Sequence, residues 1–408
     1  MNILYVNHYA GSVRHGMEYR PFYLAREWRR LGHRVRIVAA SQSHVRAVQP
    51  EVADSIEREE IEGIEYFWLR TPPYRGNGLG RVRNMLSFVS GLYRQSERLM
   101  DGHRPDVVIA SSTYPLDVFP CARMARKANA RLVFELHDLW PLSPMELGSM
   151  PRWHPFIMMM QRGEDFACRH ADAVVSMLPN AEEHLASRGL PSGRFHYVPN
   201  GIDVAGWTED SEPLAQDIQA RLEQLRAGRK LLVGYAGAHG LANALEHLVE
   251  AARLTREEPI AYVLVGQGPE KVHLQDRASA LGLENVLFLP AVPKAQIPAF
   301  LDEMDALFIG LQRKPIFRFG VSPNKLMDYM MAGKPVLHAI EAGNDMVSAS
   351  GCGISVAAEQ AEAIAGAARR LAATSVDERA RMGERGRRFV LENHDYRVLA
   401  RKFLEAIG

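Results

Sequence analysis

The sequence predicts an α/β protein built from two doubly wound parallel sheets. Three observations predict it. Apolar runs of strand length recur along the chain, most are apolar on consecutive residues, and stretches of helical period lie between many of them. Consecutive apolar residues mark strands covered on both faces, the condition of a parallel sheet flanked by helices. In the first half the runs are Ile3 to Val6, Val35 to Ala39, Ile64 to Leu69, Val107 to Ala110, Leu132 to Glu135, Ala173 to Met177 and Phe195 to Val198. Glu18 to Leu31 carries Phe22, Leu24, Ala25 and Trp28 at helical spacing between the first two. The second half repeats the scheme with Leu231 to Ala236, Ala261 to Val265, Val286 to Leu289, Ala306 to Ile309, Val336 to Leu337 and Ile354 to Val356.

The turn signal Pro199-Asn200-Gly201-Ile202-Asp203, followed by the polar stretch Thr208 to Lys230, places the boundary near residue 200. The expected units are residues 1–199 and 200–394. The tail from Asp377 to Gly408 has no strand candidate and reads as two helices broken around Asn393-His394-Asp395. Open sheets of this kind bind ligands at the carboxyl ends of their strands, so chemistry is expected on those loops.

Composition narrows the function. A chain of 408 residues with 47% apolar content has material for two cores and is neither disordered nor a small disulfide-stapled fold. Lys plus Arg is 49 against 48 Asp plus Glu, a net charge of +1, too balanced for a protein that grips nucleic acid through its overall field. Cys121, Cys168 and Cys352 are far apart and form no C-x-x-C spacing, which argues against a disulfide framework or a zinc site. With no window of about 18 uninterrupted apolar residues and no secretory pattern at Met1 to Val6, the expectation is a cytoplasmic protein, peripheral to a membrane at most.

Several chemistries lack their motif. There is no G-x-x-x-x-G-K-[ST], and Gly266-Gln267-Gly268 runs into Pro269-Glu270-Lys271 rather than a dinucleotide fingerprint. H-E-x-x-H, a G-x-S-x-G elbow and Asp-x-Asp are also missing. No cofactor and no metal are expected.

The sharpest segment is Phe319 to Leu337. Ser322 is expected as N-cap with Pro323 at the first helical position and Asn324 following, while Gly333 and Pro335 end the helix. A helix start offers N–H groups and partial positive charge to an anion, and Lys325 adds a full charge there: a diphosphate seat. Asp328, one turn on, can accept both hydroxyls of an attached ribose. The alternative is a surface Lys–Asp pair on an ordinary helix.

Tyr235-Ala236-Gly237-Ala238-His239-Gly240 joins a strand to a helical stretch, and glycines there let a backbone approach phosphate; a tight strand-to-helix turn is the other reading. Gly266, Gln267 and Gly268, with Val292, are candidates for a ribose and base pocket. In the first half, Glu135-Leu136-His137-Asp138 puts polar groups at a strand end. His137 can hydrogen-bond a sugar or move a proton, its ring oriented by Asp138 or Glu135, or it can be a satisfied structural histidine. The loop Gly11 to Glu18, with Arg14, His15 and Gly16, is a candidate binding loop.

Together these segments resemble the family-4 glycosyltransferases, retaining enzymes of the GT-B fold with two Rossmann-like domains, and within them a bacterial branch adding amino sugars during surface polysaccharide synthesis. The resemblance rests on the Gly11 to Gly16 loop, Gly-Met-Glu-Tyr-Arg-Pro from Gly16, Glu-Leu-His-Asp from Glu135, Pro-Asn-Gly-Ile-Asp from Pro199, Gly-Ala-His-Gly from Gly237, Val-Gly-Gln-Gly-Pro-Glu from Val265, and Ser-Pro-Asn-Lys with Asp328. It implies a donor-sugar contact at His137, a ribose acceptor at Asp328, and a diphosphate cradle made by Gly237 to Gly240 with the Ser322 helix start. It also implies an acceptor-side first domain, a donor-binding second domain, and a last helix, about 395–408, returning to the first. The sequence departs from the family in two places. Gly320 stands where many members carry the first of two carboxylates, and Ala238 and Asn243 stand where many carry an arginine and a lysine. Lys325 and Arg318 then carry the neutralisation.

The implied reaction is transfer of a sugar, an N-acetylated amino sugar in this branch, from a nucleoside diphosphate, with uridine favoured, to a glycan or lipid-linked hydroxyl. Residues 70–98 hold six arginines against Glu97, net +5, with Met85, Leu86, Phe88, Val89, Leu92 and Tyr93 at helical spacing, as in a helix lying on an anionic membrane through residues 81–98. Trp153 and Phe156 to Met160 can extend that surface, or both stripes face the core. Two rival functions remain: a sugar-nucleotide epimerase, and a catalytically inactive partner subunit that binds nucleotide sugar.

Overall fold

Consecutive Val, Ile, Leu and aromatic residues form strands buried on both faces, and two separate sheets collect them. The computed structural model describes residues 1–76, 78–209 and 211–408. Asn77, inside the arginine-rich stretch, and Asp210, inside the polar stretch, lie outside the described residues. The chain divides into two units, Met1–Asn200 with Tyr396–Gly408, and Gly201–Asp395.

The first unit holds β1 (Asn2–Val6), β2 (Arg34–Ala40), β3 (Ile56–Ile61), β4 (Ile64–Leu69), β5 (Val107–Ala110), β6 (Arg131–Leu136), β7 (Ala173–Ser176) and β8 (Phe195–Tyr197) in the order β3-β4-β2-β1-β5-β6-β7-β8. All neighbours are parallel except β3, which pairs antiparallel with β4. The sequence Ile-Glu-Arg-Glu-Glu-Ile of β3 escapes a reading based on apolar runs; as an edge strand it buries only its terminal isoleucines and leaves its charges toward water. Helix Arg20–Arg30 buries Phe22, Leu24, Ala25 and Trp28 against the sheet. The last helix, Tyr396–Ile407, packs beside it, where Phe403 meets the Trp28 ring and the Trp28 indole N–H donates to the Ala400 carbonyl at 3.0 Å.

The amphipathic helix Leu79–Arg94 differs from the expectation of a membrane-lying stripe. Met85, Phe88 and Leu92 are fully buried in the unit's own core, because their spacing matches the face turned to the sheet. Leu79, Leu86 and Tyr93 are the large apolar residues that helix exposes. Ile157 and Met160 are likewise internal, whereas Trp153 and Met158 are exposed. Among the described residues no helix is long and apolar enough to cross a membrane.

The second unit holds β9 (Leu231–Ala236), β10 (Ile260–Val265), β11 (Val286–Leu289), β12 (Ala306–Gly310), β13 (Val336–Ala339) and β14 (Gly353–Ser355), all parallel, in the order β11-β10-β9-β12-β13-β14. In each sheet the winding reverses beside the first strand of the unit, between β1 and β5 and between β9 and β12, and the loops leaving those strands diverge.

Candidate functional site

In the second unit the loop after β9 and helix Asn324–Met331 meet at the switch point. Pro323 itself occupies the cap position in extended conformation and the helix begins at Asn324, so Ser322 is not the N-cap. Pro323 takes φ −73° and ψ 125°, outside the helical region, so the first helical residue falls one place further along. The Tyr329 hydroxyl ties the helix to the strand end, accepting from the Ala236 N–H at 2.8 Å. One turn nearer the start, the Lys325 Nζ donates to the Tyr235 hydroxyl at 2.8 Å and to the Asn243 Oδ1 at 2.7 Å, and it lies over the Tyr235 ring. These partners are neutral, so burial draws the amine down to about 8. A Cβ on Gly237 would stand 3.2 Å from this Nζ, so the glycine leaves the amine its room.

Asp328 is held on the same helix with its carboxyl pushed up to about 7 by burial, the Lys294 charge pulling the other way. The site therefore carries a cation and a carboxyl, each shifted toward its neutral form. A bound dianion beside the first and hydroxyl donors beside the second would restore both charges.

Other expected residues have duties of their own. Gly266 and Gly268 are required by the neighbouring loop: their Cβ atoms would lie 1.9 Å from the Gly237 carbonyl oxygen and 2.3 Å from that of His239. His239 is fully buried with its ring near those of Tyr235 and Phe288, and desolvation lowers it to about 4. Gly240 is unobstructed, with nothing nearer a Cβ than the Asn243 side chain at 3.8 Å. Arg318 is exposed, donates to the Pro315 carbonyl at 2.7 Å and stacks on Phe319. Gln267 is exposed, and Val292 is half-buried against the core.

In the first unit the strand ends of β1, β5 and β6 converge. Glu135 is fully buried; its Oε1 accepts from the Arg20 Nε at 2.8 Å, and its Oε2 accepts from the Tyr5 hydroxyl at 2.5 Å and from the Ser111 hydroxyl at 2.6 Å. Burial pushes this carboxyl up, but the Arg20 charge, His137 and the hydrogen bond from Ser111 together outweigh it and hold it well below the usual carboxylate range. The His137 Nε2 lies 2.8 Å from the Ser111 Oγ and 3.3 Å from the Glu135 Oε2. Glu135, not Asp138, orients the ring. Asp138 accepts from the Leu139 N–H, the Ser143 hydroxyl and the Trp140 indole, which fixes the turn that follows.

The loop after β1 is fastened to β3. His15 bonds Ser12 and faces Glu59 of β3, and Arg14 donates to the same carboxylate at 3.2 Å. A Cβ on Gly11 would collide with the Gly16 carbonyl oxygen, so these two glycines close the loop on itself. Glu18 is half-buried, and its backbone carbonyl accepts from Gly11. Sequence reasoning missed Arg20, Tyr5 and Ser111. The polar Ser111-Ser112-Thr113 following β5 was a usable signal, whereas nothing local marks a buried arginine.

Paired doubly wound parallel sheets, each with convergent polar groups at its switch point, define the GT-B class of glycosyltransferases. The chain matches the glycosyl transferase 4-like domain over residues 15–201 and the glycosyl transferases group 1 domain over residues 217–389. It belongs to the GT-B glycosyltransferases built from these two domains. It is similar to the putative colanic acid biosynthesis glycosyl transferase WcaI of Escherichia coli K12, 23% identical over 320 residues and 77% of each chain. A D-rhamnosyltransferase of Pseudomonas aeruginosa, WbpZ, is 27% identical over 253 residues, 57% of this chain and 61% of its own length. The fold is shared with Anabaena HepE solved with UDP, at a TM-score of 0.68, 17% identity and 99% coverage of both chains.

Proposed function

We propose that this glycosyltransferase moves a sugar from a nucleoside diphosphate, UDP favoured, to a hydroxyl of a glycan or lipid-linked acceptor in bacterial surface-polysaccharide synthesis, keeping the anomeric configuration. One observation carries the reading: Lys325 is half-buried at the Gly237 loop with neutral partners, on the same helix as Asp328, whose carboxyl is shifted to about 7. Negative charge grows on the departing diphosphate as the glycosidic bond breaks, and Lys325 with the helix start meets it there. The acceptor oxygen bonds to the anomeric carbon, the bond to the diphosphate breaks, and the acceptor proton goes to the leaving phosphate oxygen on the same face. No metal is invoked. Asp328 accepts the ribose hydroxyls, and His137 in the acceptor-side unit contacts the donor sugar.

The amino-sugar donor follows the family branch; a neutral deoxyhexose is the second reading, favoured by the D-rhamnosyl-transferring relative. A lipid-linked acceptor fits the surface of the first unit. There a groove of ≈ 470 Å³ is lined by Leu142, Met145, Ile157 and Met158 with Arg152 and Arg162, and Trp153 beside it is 74% exposed. Cations around exposed apolar groups suit an anionic membrane face. Exposed Leu86, Tyr93, Arg83 and Arg94 within residues 81–98 add to it.

A saturation-transfer binding screen over UDP, GDP and ADP sugars, run with the wild type and Lys325→Met, tests the donor assignment. Binding of one nucleotide class, lost in the variant, supports it. Binding unaltered by the variant overturns the seat. Product formed without acceptor would favour an epimerase, and binding with neither donor hydrolysis nor transfer would favour an inactive partner.

A further inference from the structure

Arg20 and Glu135 are the most completely buried ion pair of the first unit, with side-chain exposures of 0% for both partners. A buried pair is rarely more stable than apolar groups of the same volume, so its presence at a strand end calls for another account. Geometry supplies one. Ser111 gives its hydroxyl proton to the Glu135 Oε2, so the oxygen lone pair that faces the His137 Nε2 can only accept. The carboxylate, held ionised by Arg20, also only accepts. Both groups flanking Nε2 thus require that nitrogen to carry the proton, which leaves Nδ1 without one in the neutral ring. Nδ1 has no hydrogen-bond partner among the described residues.

The remaining nitrogens of Arg20 are also committed. NH2 donates to the Val198 carbonyl at 3.0 Å and NH1 to the Pro199 carbonyl at 2.5 Å. These residues lie just before the point where the chain leaves the unit after Asn200. Where the chain returns, the Tyr396 hydroxyl donates to the Asn200 Oδ1 at 3.2 Å.

We propose that Glu135 and Arg20 are positioning residues that hold the proton of His137 on Nε2, present Nδ1 as an acceptor for a hydroxyl of the donor sugar, and anchor that ring to the backbone at Val198–Pro199. The role of the sugar rests on the transferase reading; the state of the ring does not. A donor hydroxyl contacting Nδ1 must then give its proton to the ring nitrogen, a demand that a fluorine in its place cannot meet.

Glu135→Gln tests this directly. The amide oxygen must stay toward the Arg20 Nε, which puts the amide NH2 where Oε2 was, beside Ser111 and His137. A donor now faces Nε2, so the neutral ring moves its proton to Nδ1 and its outward nitrogen changes from acceptor to donor. Two-bond proton–nitrogen NMR of the imidazoles, with His137 assigned by comparison with His137→Gln, should show a protonated Nε2 in the wild type and a protonated Nδ1 in Glu135→Gln. Turnover should fall at least about tenfold, while UDP affinity by calorimetry stays within about twofold of wild type. Ser111→Ala keeps the carboxylate and should retain the Nε2–H form with a turnover loss of a few fold, so the proposal stays testable should Glu135→Gln fold poorly. A protonated Nδ1 in the wild type, or in Ser111→Ala, overturns it, and so does a proton that moves in Glu135→Gln with turnover unchanged. If the wild type fails to bind UDP, the transferase reading fails instead, and the NMR result stands separately.

Discussion

The two strand-end sites treat charge in opposite ways. In the first unit Glu135 is matched by Arg20 and by hydroxyl donors, and every oxygen is occupied without any ligand. In the second unit Lys325 rests on a phenol and an amide, and burial pushes the Asp328 carboxyl up to about 7. A satisfied network fixes geometry, whereas a charge kept short of counter-charge leaves binding free energy for an arriving ligand. On the proposed reading, the first site is a scaffold for a ring and the second a receptor.

The largest effect that separates them is on stability. Glu135→Ala leaves Arg20 charged and unpaired in the core and should cost about 3–5 kcal/mol, read by urea denaturation. Lys325→Met removes a cation whose burial is unfavourable and should leave stability unchanged or raised. If both variants destabilise alike, the contrast fails. In kinetics the order reverses: Lys325→Met should reduce transfer by more than about tenfold, in the range found when one charge-stabilising donor is removed.

A third expectation concerns pH. The diphosphate raises the pKa of Lys325 in the complex, so affinity is full below about 8 and falls above it. Ribose hydroxyls favour ionised Asp328, so affinity is full above about 7 and falls below it. UDP binding measured by calorimetry should therefore peak between about 7 and 8. Asp328→Asn should remove the acid limb alone and Lys325→Met the alkaline limb alone; a flat profile in the wild type would break the receptor description.

The smallest effect is at His239. Among the described residues neither buried ring nitrogen has a hydrogen-bond partner, so His239→Phe should change stability by less than about 1 kcal/mol and leave UDP affinity within about twofold. A large loss of affinity would return this side chain to the diphosphate seat.

Local pattern made the sheets legible: thirteen strands were readable as apolar runs, and β3 was not, because an edge strand hides only its ends. It also made legible the short helix that carries Lys325 and Asp328, since Pro323 and Gly333 bracket it. Burial was not legible. Arg14 and His15, candidate ligand groups in the sequence, meet Glu59 of β3 in the structure, while Arg20, an ordinary residue at a helix start in the sequence, is enclosed completely.

The sequence by itself determined which segments become strands, where the chain changes units, and which loop ends carry polar side chains, because these depend on periodicity and turn chemistry within a few neighbours. Only the tertiary structure decided which of those side chains are neutralised. Arg20 reaches Glu135 across 115 positions and Lys325 finds Tyr235 across 90, and charge state follows from such distant partners and from the water that they exclude.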